Sequence, residues 1–186
     1  MDRVTITVSQ ESVERLLAHE AWCLDGRHWD QWLSLYLPDA CFWVPSWRSE
    51  YDLVRDPRNE ASLIYAGSRE RLAERVRRIQ QAKTPTAQPL PRTLHQVTNV
   101  LILEDGHGEA GSPARVPVST PQEIGACEVA ACWTVFRYDT AARRTDVLYG
   151  RYEYRLRQEQ GQLRIASKVV QLLNDCVPTY IDFYSV

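Results

Sequence analysis

The chain has 186 residues, with 22 Lys and Arg against 24 Asp and Glu and a formal net charge of −2. That length suits one domain, residues 1–186, with its own core, and the near-neutral balance points to neither nucleic acid nor an anionic membrane as a partner. No apolar run approaches the roughly 20 residues that cross a bilayer, and the N-terminus lacks a basic segment followed by an apolar one. Five scattered cysteines argue against a disulfide framework, so a reducing, cytoplasmic setting is expected.

Val13, Leu16, Leu17, Ala21 and Leu24 recur at helical spacing, with Ser9 or Ser12 as a cap and Gly26 as the C′ residue ending the helix. Trp29, Trp32, Leu33 and Tyr36 make one face of a second, short helix that Pro38 stops. Residues 41–44 read as a short strand closed by Pro45, and 46–60 are polar and irregular. Residues 62–65 are a small strand. Ser68 then caps a third helix with Leu72, Val76 and Ile79 facing inward. The proline-rich stretch 84–91 cannot continue that helix.

The second half has strand periodicity. Residues 92–104 form a long strand, and 105–122, rich in Gly and Pro, form an exposed loop. Residues 123–138 carry small and apolar side chains on both parities. At about 3.3 Å per residue such a strand would exceed about 50 Å, so it must twist, bend or bulge. After a turn at 139–145, Leu148, Tyr152, Tyr154 and Leu156 point one way, while Arg151, Glu153, Arg155 and Arg157 point the other. Gln160 and Gly161 mark a hairpin, and Leu163, Ile165, Val169 and Leu173 continue a last strand. The tail 177–186 is apolar, so it docks on its own domain or on another subunit. Together these elements predict an α+β domain with three helices on a strongly curved, mostly antiparallel sheet. The order suits the cone-shaped (NTF2-like) fold of nuclear transport factor 2, ketosteroid isomerase and scytalone dehydratase.

The motifs for metal and nucleophile chemistry are missing. A Rieske cluster needs two Cys and two His in tight pairs, and Cys23 with His28 has no second such pair. Cys127 and Cys132 differ by an odd number within one strand, so they face opposite sides. His19, His28, His95 and His107 are the only histidines for an iron triad. There is no phosphate-binding glycine loop, no Gly-x-Ser-x-Gly elbow and no His-Glu-x-x-His. These readings leave no metal or cofactor assigned to this chain.

His95 shares strand parity with Thr93, Val97, Leu101 and Leu103, which aims it into the cone. With Tyr36, Asp30 or Tyr152 it could form an acid–base pocket of the kind a free-standing dehydratase or isomerase uses. The favoured alternative is a buried histidine bonded to a backbone carbonyl or a carboxylate, and no catalytic residue is then expected. Arg69, Arg71, Arg75, Arg77 and Arg78 make the third helix basic, but Glu70 and Glu74 interleave, so a solvated face or a subunit contact is expected. The tryptophans at 22, 29, 32, 43 and 47 are spaced for packing rather than for a ligand cage.

Four segments in order resemble the small (β) subunit of Rieske-type aromatic-ring-hydroxylating dioxygenases, the benzoate and anthranilate branch in particular. The first holds Glu20, Ala21, Leu24 and Asp25, then Trp29 to Leu33 and Phe42 to Pro45. The second is Ser62 to Tyr65 with Arg69 to Val76. The third runs from Pro91 to Val100, and the fourth joins Leu173, Asn174 and Asp175 to Pro178 and to Ile181–Tyr184. The chain departs from the pattern in its longer Gly/Pro-rich stretch at 105–122. The resemblance implies a structural subunit of a terminal oxygenase, usually an α3β3 hexamer, which adds both atoms of O2 to an aromatic ring in aromatic catabolism. It implies that the Rieske 2Fe–2S cluster and the non-haem Fe(II) lie in the α subunit, with NADH supplying electrons through a reductase. Self-association of the β chains as a trimer is part of the same expectation.

Overall fold

The structure, a computed structural model, describes residues 8–81, 89–103, 126–177 and 180–186. The predicted loop at 105–122, residues 84–88 of the proline-rich stretch, His107 and Pro178 lie outside the described residues.

Six strands form one sheet in the order β2-β1-β6-β5-β4-β3. They are β1 (Tyr36–Pro45), β2 (Ser62–Ala66), β3 (Arg92–Leu103), β4 (Ala126–Asp139), β5 (Arg144–Glu159) and β6 (Gln162–Leu172), with α1 (Gln10–Asp25), α2 (Trp29–Ser34) and α3 (Arg69–Gln81) between or before them. Every pairing is antiparallel except β1 with β6. A short 3-10 turn, Phe183–Ser185, ends the chain.

Local chemistry explains the helix limits. Ser9 caps α1 by accepting from the Ser12 N–H. Gly26 is the C-cap, with φ −79, and it is Arg27 that takes the left-handed conformation at φ 56. The His28 N–H reaches Cys23 O and the Arg27 N–H reaches Leu24 O, a Schellman closure with arginine at C′. A Cβ at Gly26 would lie 2.7 Å from the exposed His28 ring, which would have to turn aside. Helix α2 ends at Ser34, so Tyr36 opens β1 instead of closing the helical face. Pro38 sits inside β1, where the register against β6 slips between Tyr36 and Cys41. A proline is tolerated at such a slip because no ladder donor is needed there.

A bulge corrects the predicted face of β3, and a second sets the faces of β6. In β3 the register slips between Thr98 and Leu101, with Asn99 left-handed at φ 53. One extra residue reverses the parity: Val100 and Ile102 pack on the core, while Leu101 is 57% exposed. In β6 the slip falls at Ala166, since Leu156 pairs with Ile165 and Arg155 with Ser167. Beyond it Val170 and Leu172 join Ile165 in the main core. Val169 turns to the opposite side and packs with Trp43 and Val54, and Leu173 is exposed. The irregularity expected within 123–138 is not a bulge against β5, since β4 keeps an unbroken register there; the slips fall in β3 and β6 instead.

The main core fills the concave face of the sheet beneath α1, α2 and α3. Its aromatic centre is Trp32, stacked on Phe183 at 4.6 Å and edge-on to Tyr36 at 5.1 Å. The tail thus docks on its own fold. Phe183 and Val186 are buried, and Asp182 both caps the final turn and pairs with Arg75 of α3 at 3.2 Å. Trp43 is buried away from the cone and donates to Ser62 Oγ, whereas Trp47 donates to Leu172 O at the end of β6. Trp22 is exposed on α1.

Candidate functional site

Two carboxylates enter the cone from α1, and each gathers its own partners. Glu20 lies on the apolar stripe of α1, three and four residues from Leu17 and Leu16, and is 2% exposed. Lys168, 1% exposed after the β6 bulge, donates to both of its oxygens at 3.0 Å. Tyr154 donates to Oε2 at 2.8 Å, Trp32 Nε1 to Oε1 at 3.4 Å, and Tyr36 makes a short bond to Oε1. Burial opposes the Glu20 charge, but the Lys168 ammonium and the tyrosine donors outweigh it and hold the carboxyl below its ordinary range. Burial draws the Lys168 ammonium below the ordinary lysine value against the pull of Glu20, and pushes the Tyr36 and Tyr154 hydroxyls well up. The ammonium also lies 4.0 Å from the centre of the Tyr152 ring, a cation–π contact that replaces part of its lost hydration.

Asp25, the last residue of α1, is the second carboxylate. Its Oδ2 accepts the backbone N–H of His95 at 2.9 Å, and its Oδ1 sits 2.6 Å from His95 Nδ1. Burial works against its charge, yet these bonds, the His95 ring and Thr93 together hold it below the ordinary aspartate range. The His95 side chain is 1% exposed. Burial and the field of Glu20 and Asp25 push the Tyr152 hydroxyl well up.

The four residues proposed for an acid–base pocket are therefore divided. His95 bonds Asp25 and Tyr36 bonds Glu20. Tyr152 points into the same interior with its hydroxyl unbonded among the described residues, and Asp30 is exposed on α2. Among the described residues no group of three His, Cys, Asp or Glu side chains is placed to hold a metal ion. Sequence reasoning missed Glu20, Asp25 and Lys168. The position of Glu20 on an apolar stripe is a readable signal; the other two depend on pairing over long separations.

Residues 19–112 and 113–179 match the family model described as the ring hydroxylating beta subunit. The chain belongs to that family. It is 32% identical to the β subunit of toluate 1,2-dioxygenase from Pseudomonas putida, over 97% of this chain and all of that one. It is 35% identical to the small subunit of 2-halobenzoate 1,2-dioxygenase from Burkholderia cepacia, over 94% of each. The β subunit of benzoate 1,2-dioxygenase from Burkholderia mallei has the same fold, with a TM-score of 0.71 at 26% identity, covering 97% of this chain and 99% of that one. The α+β cone and the subunit reading both stand, and the relatives favour that reading over a free-standing dehydratase or isomerase. In this β subunit the buried ionic groups join α1 to the sheet.

Proposed function

We propose that this β subunit is the structural and assembly component of a terminal oxygenase that dihydroxylates an aromatic carboxylate, and that it acts only when bound to a Rieske α subunit. The α subunit holds the 2Fe–2S cluster and the non-haem Fe(II), and electrons come from NADH through a reductase. The assembly is an α3β3 hexamer in the cytoplasm whose β chains also meet one another as a trimer. The chain is one domain and supplies no catalytic residue.

The observation that carries this reading is identity of about one third, across nearly the whole chain, to small subunits of enzymes named for toluate and 2-halobenzoate, both substituted benzoates. Two features of the fold support it. The interior carboxylates of Glu20 and Asp25 are bonded within the chain. On the convex face Leu94, Phe136 and Val147 stand side by side in register, with Tyr149 and Leu173 nearby, all more than a third exposed. An apolar row of this kind suits a subunit contact.

The test is co-expression of the tagged chain with benzoate-type Rieske α subunits. The α subunit should be retained in equal amount. The complex should consume O2 with benzoate, NADH and reductase, and the chain alone should bring down no iron. Loss of every co-expressed α subunit on purification, or dihydroxylation by the chain alone, overturns the proposal.

A further inference from the structure

Three neighbouring buried polar atoms on the concave face have no hydrogen-bond partner among the described residues, His95 Nε2, Trp133 Nε1 and Tyr152 Oη; a fourth, Arg137 Nε, lies further along β4, where the guanidinium pairs with Asp146. They belong to neighbouring rungs of adjacent strands. His95 lies opposite Val135 and Val97 opposite Trp133 across β3 and β4; Trp133 lies opposite Gly150 and Ala131 opposite Tyr152 across β4 and β5. The three side chains are thus successive diagonal neighbours on one face. The Trp133 and Tyr152 rings stack with centroids 5.2 Å apart. Gly150 leaves the face bare between Leu148 and Tyr152, and the indole nitrogen lies 3.1 Å from where its Cβ would stand.

A buried polar atom without a partner costs about 1–3 kcal/mol, so three in one region call for a guest that bonds them. The donor inventory selects its chemistry. The Asp25 carboxylate holds His95 Nδ1 at 2.6 Å, which places the ring proton on Nδ1 and leaves Nε2 as an acceptor in the neutral ring. The Trp133 indole can only donate, and the Tyr152 hydroxyl can do either. With that ring neutral, the guest gives one hydrogen bond and takes another. An anion without a proton has nothing to give to a neutral Nε2. An ammonium cannot take the indole N–H. A neutral hydroxyl does both.

We propose that the interior between β3, β4 and β5 binds one neutral hydroxyl oxygen, donating to His95 Nε2 and accepting from Trp133 Nε1 or Tyr152 Oη. The hydroxyl belongs to water or to a small alcohol or phenol. This goes beyond the scaffold reading and stands whether or not the chain pairs with an α subunit.

The test uses crystals of the full chain at high resolution, grown with and without millimolar phenol, together with the indole N–H resonance of Trp133, assigned through Trp133→Phe. The expected result is an oxygen within about 3.2 Å of His95 Nε2 and of at least one of the other two atoms. If it is present in both crystals and the indole resonance ignores phenol, the hydroxyl is that of water. If phenol replaces it and the resonance shifts to saturation, the site takes a phenol. Tyr152→Phe, which retains the ring stack, should shift the indole resonance and leave the far-UV spectrum unchanged. No oxygen at His95 Nε2 in either crystal, with a resonance insensitive to both phenol and Tyr152→Phe, overturns the proposal.

Discussion

Removing the negative charge of Glu20 while keeping its shape tests whether the α1–β6 ion pair holds the cone together. In Glu20→Gln the Lys168 ammonium stays 1% exposed with no counter-ion. The pair contributes Coulomb attraction on the order of 5 kcal/mol at a 3.0 Å separation and an effective dielectric near 20. Breaking one side of such a pair costs about 3–5 kcal/mol, because the surviving charge remains desolvated. Lys168→Met should cost a similar amount, leaving Glu20 with only the neutral donors of Tyr36, Tyr154 and Trp32. The double variant should cost far less than the sum, since an amide still accepts from the tyrosines and no bare charge is left. For a chain of this size each kcal/mol moves Tm by about 2–4 °C, so either single variant should lose about 6–20 °C. Urea unfolding followed by tryptophan fluorescence, at one fixed protein concentration, measures the cycle. Single-variant losses that add to the double within about 0.5 kcal/mol would refute the coupling and the role assigned to the pair.

Acid should weaken the fold through the same groups. The Glu20 and Asp25 carboxyls are both held below their ordinary values of 4.5 and 3.8, so the unfolded chain binds more protons in acid. Stability is therefore complete above those values and is lost as pH falls through the lower folded ones. Urea midpoints between pH 7 and pH 3 should show this loss, and Glu20→Gln should show less of it. Gly150→Ala and Gly161→Ala should separate two reasons for glycine. At Gly150 a Cβ would lie 1.8 Å from the Gln171 carbonyl oxygen inside the ladder, so little soluble, folded chain should be recovered. At Gly161 the space is open and only the φ of 78 is strained, so the cost should be about 1 kcal/mol. Equal losses at the two positions would contradict this account.

The helices and the strands of the second half were legible because each keeps one period over many residues. What misled were single insertions in that period. Val100 and Ile102 alternate correctly with each other but out of phase with His95 and Val97, and Asn99, a residue tolerant of left-handed geometry, is the mark of the slip. In β6 the adjacent Val169 and Val170 are both buried, on opposite faces, so hydropathy alone cannot assign the bulge. Lys168 was invisible for the same reason: its inward direction exists only once the slip at Ala166 is known. Asp25 meets His95 across 70 residues, a contact that depends on how the end of α1 docks on β3.

The segments that carry the family resemblance are far apart in the chain and meet in its interior. Glu20 from the first bonds Tyr36 at the head of β1, Asp25 from the same segment clamps His95 from the third, and Trp32 stacks on Phe183 from the fourth. Arg75 from the second segment pairs with Asp182 beside that stack. Each contact closes a different part of the cone: α1 onto β1 and β6, the end of α1 onto β3, the tail onto α2, and α3 onto the tail. Loss of any one would loosen a helix or the tail from the sheet. The resemblance therefore marks residues that hold the cone closed, and it could identify the family without revealing a reactive group. Outside the closed cone, Leu94, Phe136 and Val147 form an exposed row in register across β3, β4 and β5, the face on which the proposed subunit contact is to be tested.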